Sequence, residues 1–508
     1  MAENLIEARK ITKVYPDGTQ ALFEVDFAVQ AGEVHGLLGE NGAGKSTLTK
    51  ILSGLLSPTS GTILWKGKKV RFGSPREALK AGIGMVHQHF ALVGPYTGLE
   101  NIALGAEGVR ILGPVRTRWI GKKVENIMDR SGLRVPLDVP VEDLPVGVQQ
   151  RLEILKVLVR EVELLILDEP TAVLTPQEVD ELFSVLRSLA SLGKSVVLIT
   201  HKLREVLEVT DRVTVLRHGK LVTVRPTRET SLEELASSMV GREMPRMRGR
   251  TNRSGGKEVL RVENLVVPGV GGKPAVRGVS FSVHEGEILG VAGVQGNGQT
   301  ELVEAMVGLR PWTGKVELNG KSLAGLGPAQ VAALGLAHIP EDRQGMGLIL
   351  PFSVAENAVL GKLRPFTDRV GGLRWRKIFR STADLIQRFS VQTSGPRAQA
   401  RSLSGGNQQR LVVGRELSKA PELLIANQPT RGLDIAATHY IRETLLKLRD
   451  EGLALLLISA DLDEIFELSD RVAVMYNGTF TGISPVEKLD RERVGLLMGG
   501  LTFEEARG

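Results

Sequence analysis

Short apolar runs alternate with helix-like stretches along the chain. The segments 33–38, 164–167 and 195–200 are short and mostly apolar, as buried strands are. A Gly-rich turn follows the first of them, and 46–52 then has the spacing of a helix. Strands that alternate with helices predict a mainly parallel sheet flanked by helices, which is an α/β fold.

The same pattern occurs twice. LPVGVQQR at 144–151 returns as LSGGNQQR at 403–410, and LLILDEPT at 164–171 returns at the same offset as LLIANQPT at 423–430. The Gly-rich turn GENGAG returns as GVQGNG at 293–298, at a slightly shorter offset. Because insertions in loops explain that small difference, we infer that one domain has been duplicated.

The two copies are joined by a segment without an apolar period. Residues 241–257 read GREMPRMRGRTNRSGGK, which is rich in Gly, Arg and polar side chains and is typical of an exposed linker. We therefore predict a first domain at 1–243, a linker at 244–257 and a second domain at 258–508.

Composition narrows the classes of function. The chain has 508 residues and no cysteine, which excludes disulfides, thiolate catalysis and cysteine-based zinc or iron–sulfur sites. The longest apolar stretches, such as 453–458, are far shorter than the roughly 20 residues that cross a bilayer, and a secretory signal is not predicted. The net charge of +7 comes from residues spread along the chain, so we expect no nucleic-acid partner. A cytoplasmic location is predicted.

The first Gly-rich turn carries a phosphate-binding pattern. GENGAGKS fits G-x-x-x-x-G-K-[ST] between a predicted strand and a predicted helix. Glycines let backbone N–H groups close around phosphates, and the helix N-terminus adds positive potential. Lys45 should bridge the β- and γ-phosphates, and Ser46 should bind Mg²⁺. The residues predicted to bind nucleotide here are Gly39, Glu40, Asn41, Gly42, Ala43, Gly44, Lys45, Ser46 and Thr47.

Other polar and aromatic residues are candidates for the same site. Asp168 is placed to hold Mg²⁺, in part through water, and Glu169 to orient or deprotonate the attacking water. His201 can hydrogen-bond the γ-phosphate or be structural, and Gln88 can offer its carbonyl to Mg²⁺ or water. Tyr15 can stack on adenine, which is worth roughly 1–3 kcal/mol, or be a partly buried strand aromatic.

Together these residues resemble the ABC ATPases, and the resemblance covers nearly the whole chain. Its decisive mark is LSGGNQQ at 403–409, which is similar to that family's signature before a helix. The resemblance implies two tandem P-loop domains, each with a mainly parallel sheet core, an antiparallel β subdomain and a helical subdomain. It also implies that the two domains pair head to tail, so that each ATP lies between the phosphate loop of one domain and the signature of the other.

This pairing sorts the residues into two composite sites. The first site combines the first domain's loop, acids and histidine with Ser404, Gly405 and Gly406 of the second domain, and Asp434 resembles the family's D-loop aspartate there. Its predicted catalytic residues are Lys45, Gln88, Glu169 and His201, and its predicted Mg²⁺ ligands are Ser46, Gln88 and Asp168. Every element expected for hydrolysis is present in this site.

The second composite site has lost these elements. Its replacements are Gln299 for the lysine, Glu341 for the glutamine, Asn427 and Gln428 for the acids, Ala460 for the histidine and Thr175 for the D-loop aspartate. The facing signature reads LPVGV at 144–148 and lacks the serine. Random decay would scatter losses over both sites, so this one-sided sorting supports the pairing and predicts one competent site.

Fusion of two such domains resembles the ATPases of simple-sugar and nucleoside importers. The segments 144–156 and 293–305 look most like the nucleoside branch, whose ATPase serves a lipoprotein of the basic membrane protein family. The resemblance implies ATP and Mg²⁺ as cofactors, and permease subunits and a substrate-binding lipoprotein as partners. It places the chain peripherally on the cytoplasmic face of the inner membrane.

The two copies also differ where the family receives a short permease helix. HFALV at 89–93 is largely apolar, whereas DRQGM at 342–346 is charged and then expected to be flexible, so we predict two different permeases. Two other functions remain open. One is import of ribose, galactose or a similar sugar, and the other is a tandem ABC protein that acts on ribosomes or DNA. The second is disfavoured by the short linker and by the absence of cysteine for zinc modules.

Overall fold

The computed structural model describes residues 4–87, 90–104, 117–171, 174–241, 256–269 and 272–501. The chain divides into two compact units, Met1–Pro245 and Arg246–Gly508. Each unit has its own buried apolar clusters. The predicted linker 244–257 lies outside the described residues except for Gly256 and Lys257, so its limits stay a prediction.

The described part of the first unit contains two sheets. Its strands are β1 (Asn4–Val14), β2 (Gln20–Gln30), β3 (Val34–Gly39), β4 (Ser60–Trp65), β5 (Lys68–Val70), β6 (Ile83–Val86), β7 (Leu164–Asp168), β8 (Ser195–Ile199), β9 (Arg212–Arg217) and β10 (Lys220–Pro226). The order β2-β1-β4-β5 forms an antiparallel sheet. The order β10-β9-β3-β8-β7-β6 forms the core sheet, in which every pair is parallel except β10 with β9.

Helices of the first unit surround the core sheet. They are α1 (Lys45–Leu52), α2 (Pro75–Ala81), α3 (Gly98–Ala103), α4 (Thr117–Ser131), α5 (Val146–Leu158), α6 (Pro176–Ser191), α7 (Leu203–Val209) and α8 (Leu232–Val240). β3 and β8 are buried along their whole length, as expected for strands covered on both faces. α3, α4 and α5 pack together as a helical subdomain.

The second unit repeats this architecture. Its strands are β11 (Glu258–Pro268), β12 (Pro274–His284), β13 (Ile288–Ala292), β14 (Thr313–Leu318), β15 (Lys321–Ser322), β16 (Leu336–Ile339), β17 (Leu423–Asn427), β18 (Ala454–Ser459), β19 (Arg471–Tyr476) and β20 (Thr479–Pro485). They form the sheets β12-β11-β14-β15 and β16-β17-β18-β13-β19-β20. Its helices are α9 (Gln299–Met306), α10 (Pro328–Ala333), α11 (Val354–Val359), α12 (Trp375–Arg388), α13 (Gly405–Leu417), α14 (Ile435–Asp450), α15 (Leu462–Leu468) and α16 (Arg491–Met498).

Both units therefore have the expected parallel core, antiparallel β subdomain and helical subdomain. In the first unit the carboxyl ends of β3, β7 and β8 meet at one edge of the core sheet, because the three strands are parallel. The phosphate loop follows β3, the acids end β7, and the histidine follows β8. Among the described residues, no helix combines the length and apolar character needed to span a membrane.

Candidate functional site

The phosphate loop of the first unit connects β3 to α1 through two left-handed glycines. Gly42 has φ 82° and Gly44 has φ 100°. A Cβ on Gly44 would fall 2.7 Å from the carbonyl oxygen of Ala21, so only glycine fits at the start of the helix. Asn41, Gly42 and Ser46 are exposed, which leaves this face of the loop accessible to a ligand.

Lys45 closes the loop from within. Its Nζ donates to the carbonyl oxygens of Gly39 at 2.6 Å and Glu40 at 3.1 Å. Burial lowers the pKa of Lys45, and the nearby carboxylates, Glu169 and Asp168 foremost, act in the opposite direction. The Lys45 ammonium is thus held inside the loop and close to the two acids. In this position it can bind phosphate oxygens.

Tyr15 lies beside the loop. Its hydroxyl and the Thr47 hydroxyl are 3.2 Å apart, and its ring is half-buried with Lys13 Nζ 5.6 Å from the ring centroid. The structure therefore brings together the aromatic and the loop that are 32 residues apart in the chain. Stacking on adenine stays a prediction.

The two acids at the end of β7 have different environments. Burial, followed by the charge of Glu169, raises the pKa of Asp168. Glu169 has a left-handed backbone with φ 49°, and its N–H donates to Ile199 of β8 at 2.9 Å. This turn directs its carboxylate to His201, whose Nδ1 lies 3.0 Å from Oε1 and lowers the pKa of Glu169. The environment therefore moves the pKa values of these two adjacent acids in opposite directions.

One predicted residue lies outside this description. Gln88 follows β6 but is not among the described residues, so its contact with Mg²⁺ or water stays a prediction. Four of the predicted residues do lie together at one sheet edge: Lys45, Asp168, Glu169 and His201. Lys45 and the two acids shift one another's pKa values, and His201 contacts Glu169.

The predicted signature and D-loop residues lie together in the second unit. Ser404 caps α13, and its hydroxyl accepts from the backbone N–H of Asn407 at 3.4 Å and from its side-chain Nδ2 at 2.8 Å. Asp434 caps α14 by accepting from Ala437 N–H at 2.7 Å. A Cβ on Gly406 would fall 2.8 Å from the Cβ of Ala437, so the start of α13 packs directly on that of α14.

The Gly-rich loop of the second unit is occupied by its own glutamine. Gln299 is buried, and its Nε2 donates to Val294 O at 3.0 Å while its Oε1 accepts from Asn297 N–H at 3.1 Å. That N–H belongs to the backbone donors that the pattern would offer to phosphate. Above the loop, Glu341 accepts from Gln295 Nε2 at 3.1 Å and pairs with Arg431. In the described contacts, the side-chain amide of Gln299 therefore bonds within its own loop.

The edge that carries the acids is also neutral in the second unit. Asn427 is buried at the end of β17, and Gln428 Oε1 accepts from the N–H of Ala460 at 3.4 Å. The degenerate signature of the first unit differs as well. A Cβ on Gly147 would fall 2.0 Å from Glu178 Oε1, so an acid packs against this helix start, where Ala437 packs in the second unit.

Two residues with contacts at these sites were not predicted as site residues. Glu178 looks like an ordinary helix cap, since its carboxylate accepts from Thr175 N–H at 2.9 Å. Arg343 belongs to the segment 342–346, which the sequence predicts to be charged and then flexible, and the flexibility stays a prediction. Residues Arg343–Gly347 form a π-helical turn, because the Asp342 carboxylate accepts from the N–H groups of Gln344 and Gly345, each at 2.9 Å.

Comparisons with known proteins agree with this geometry. The family model described as ABC transporter matches residues 22–172 and 276–431. The guanosine import ATP-binding protein NupO of Bacillus subtilis is 45% identical and covers 99% of both chains. The nucleoside import ATP-binding protein NupA of Lactococcus lactis is 43% identical, again over 99% of both. The ribose import ATP-binding protein RbsA 1 of Rubrobacter xylanophilus is 42% identical over 98% of both.

A solved structure with a similar fold is an archaeal ribosome recycling factor in complex with a ribosomal stalk protein. Its TM-score is 0.61 at 20% identity, and the match covers 93% of this chain and 89% of that chain. At 20% sequence identity, this match supports a similar fold and nothing more. Each of these three relatives is named as an import ATP-binding protein. These names imply association with a membrane and membrane permease components as partners.

The two family matches, the two tandem P-loop units and the Lys45, Asp168 and Glu169 arrangement lead to one assignment. This chain belongs to the ABC transporter family and is an ATP-binding protein with ATPase activity.

Proposed function

We propose that the chain energises nucleoside import across the cytoplasmic membrane by hydrolysing ATP at one composite site. The observation that carries the proposal is the contrast between the two phosphate loops, one closed by Lys45 beside two acids and the other filled by Gln299. The full-length similarity to NupO and NupA supports a nucleoside as the solute.

The site would be completed by head-to-tail pairing of the two domains. The loop 39–47 would bind the phosphates and Tyr15 the adenine, while Ser404, Gly405, Gly406 and Asp434 would approach the γ-phosphate from the other domain. The intact signature is capped by the exposed Ser404 at the N-terminus of α13, and a helix N-terminus suits an anionic ligand.

The residues of the first unit fit a bound Mg²⁺ ion. Burial and the charge of Glu169 raise the pKa of Asp168, so a divalent cation would relieve the repulsion between the two carboxylates. Ser46, Gln88 and Asp168 would hold the ion, which would neutralise phosphate charge when bound. Oxygen donors of this kind are the ones that Mg²⁺ prefers.

Glu169 and His201 would act on the reacting groups. The carboxylate of Glu169 is kept ionised by His201 and can orient the attacking water or accept its proton. Lys45 would neutralise charge on the β- and γ-phosphates as the terminal phosphoryl group leaves. His201 is two-fifths exposed and can donate to the γ-phosphate from the same edge.

The partners would be two different permease subunits and a substrate-binding lipoprotein. In the second unit a cavity of about 220 Å³ is lined by apolar residues and by Met346, His338, Arg415, Glu416 and Lys419. Burial lowers the pKa of His338 to about 4, so the imidazole is neutral. The first unit has Met85 and Phe90 at the positions of His338 and Arg343. Such unlike surfaces favour unlike partners.

A photocrosslinker tests the two-permease proposal. Placed at Phe90 and, separately, at Met346 in assembled complexes, it should capture peptides from different permease polypeptides in mass spectrometry. Capture of one and the same polypeptide from both positions would refute it.

An uptake experiment tests the solute. A strain that lacks the gene should lose uptake of labelled uridine, adenosine or guanosine and keep uptake of ribose. The wild-type gene on a plasmid should restore nucleoside uptake, whereas the Glu169→Gln variant should not. The opposite pattern, with ribose uptake lost and nucleoside uptake kept, would favour the sugar function that the name of the ribose import relative suggests.

A further inference from the structure

The turn Arg343–Gly347 lies at the border between the core sheet and the helical subdomain of the second unit. It follows β16 and corresponds to the segment after Gln88 in the first unit. The Asp342 carboxylate fixes its first turn. Its side chains therefore have defined directions, and one of them points to the intact signature.

Arg343 joins this turn to the D-loop segment. Its Nη1 donates to Arg431 O at 2.8 Å and its Nη2 to Gly432 O at 3.4 Å. Both carbonyls belong to the segment that leads directly to Asp434 at the start of α14. The planar guanidinium can bind two successive carbonyl groups at once, which the single ammonium group of a lysine cannot do in the same geometry.

The same guanidinium lies against the signature. A Cβ on Gly405 would fall 2.8 Å from Arg343 Nη2, so the absence of a side chain at Gly405 lets the guanidinium approach the backbone of the signature. Arg343 thus touches both second-domain elements that the competent site requires, the signature and the D-loop segment.

Three further contacts hold the turn in place. Gln344 Nε2 donates to Gln408 Oε1 at 3.0 Å on α13, and Arg415 Nη1 donates to Gly347 O at 2.7 Å further along the same helix. Glu341 pairs with Arg431. The turn, the signature helix and the D-loop segment are therefore tied to one another, and a shift of the turn would move Gly405.

The turn also has an exposed side. Met346 is 57% exposed and lines the cavity proposed above for a permease helix. Only Gln344 and Gly345 separate it from Arg343 in the sequence. This five-residue turn thus connects a permease contact near one end with the signature at the other end.

We propose that Arg343 is a positioning residue for ATP hydrolysis, through which the second domain sets the signature and D-loop for the site of the first domain. The proposal rests on the head-to-tail pairing of the proposed function. The second domain, which has lost its own catalytic residues, would then still determine the rate of ATP hydrolysis at the site of the first domain. Phe90 stands at the corresponding position of the first unit, whose signature is degenerate, so the arginine occurs only in the unit with the intact signature.

Kinetics of the full chain test the proposal. Arg343→Met keeps most of the side-chain volume and removes every donor, and it should lower kcat about 10-fold or more, the scale of a small misplacement of a catalytic element. KM for ATP should change little, because the loop, Tyr15 and the acids belong to the other domain. Arg343→Lys should recover part of kcat.

Arg401→Ala is the matched control. Arg401 is exposed and lies three residues before Ser404, and its side-chain Nε donates to Gln399 Oε1 at 2.7 Å. Its replacement should leave kcat unchanged. A thermal melt of each variant separates positioning from folding, since a purely structural role would lower the melting temperature and leave kcat of the folded protein unchanged.

Ser404→Ala separates failure of this proposal from failure of the pairing. If Ser404→Ala lowers kcat and Arg343→Met does not, the role of Arg343 is wrong and the pairing stands. If neither variant lowers kcat, the signature does not serve the competent site and the pairing itself is wrong. A rise in KM with unchanged kcat in Arg343→Met would also overturn the positioning role.

Discussion

The two Gly-rich loops share a backbone and differ in chemistry. Gly44 and Gly298 have φ 100° and 105°, and each precedes the first residue of a helix. Lys45 and Gln299 occupy that first residue, both buried, and both donate to the carbonyl oxygen of the loop's second residue, Glu40 or Val294. The glutamine adds an acceptor, which binds the loop's own N–H.

The edges that follow the loops show the same relation. Glu169 and Gln428 both have φ 49°, and their N–H groups donate to Ile199 at 2.9 Å and Ile458 at 2.8 Å. The hydrogen bond of Glu169 with His201 is replaced by an amide that accepts from Ala460 N–H. The fold therefore tolerates uncharged residues at the positions of Asp168, Glu169 and His201, because glycines, strand register and buried apolar residues determine the backbone.

The largest expected effect is the loss of the catalytic carboxylate. Glu169→Gln should lower steady-state phosphate release by about 10² or more, the scale of a positioned transition-state group, and leave ATP binding in place. Gln428→Ala, the matched change in the second unit, should barely alter the rate. Similar losses in both variants would mean that the two edges are catalytically equivalent.

Removal of the aromatic beside the first loop should have the next largest effect. Tyr15→Ala should weaken ATP binding by about 5- to 150-fold, which corresponds to the roughly 1–3 kcal/mol of a stacked base. Tyr15→Phe keeps the ring, loses only the contact with Thr47 and should bind nearly as well. Equilibrium titration with ATP measures both. Equal weakening in the two variants would point to the hydroxyl and not to stacking.

A smaller effect is expected on the pH dependence of hydrolysis. The hydrogen bond from His201 is the largest cause of the lowered pKa of Glu169. Because the carboxylate is the active form, a lowered pKa keeps activity at more acidic pH. In His201→Ala the pKa of Glu169 should rise, and the acid limb of the kcat profile should move to higher pH. Profiles of wild type and variant with the same acid limb would show that this hydrogen bond does not tune Glu169.

No effect on hydrolysis is expected from restoring the second loop alone. Gln299→Lys in a Glu169→Gln background returns the ammonium group but leaves Asn427, Gln428 and Ala460 without a base or an acid. Phosphate release should stay at the level of the Glu169→Gln single variant, which is the control. Recovery of steady-state hydrolysis would show that the second site needs only its lysine.

Much of the fold could be predicted because its signals are local. The helix predicted at 46–52 is observed as Lys45–Leu52, and the strand predicted at 164–167 as Leu164–Asp168. The repeat predicted two similar units, and the motifs placed the loop, acids and histidine of the first unit at one sheet edge. Parallel strands require this, since their carboxyl ends share an edge.

The sequence by itself determined the family, the two units and which residues replace the motifs of the first unit in the second. Only the tertiary structure decided which hydrogen bonds the replacement residues make. The hydrogen bond from Arg343 to Arg431 spans 88 residues, and that from His201 to Glu169 spans 32. Residue type and spacing within a motif carry no information on such partners. They depend on the directions that helix starts and left-handed turns give to side chains, and these directions are set when the whole unit packs.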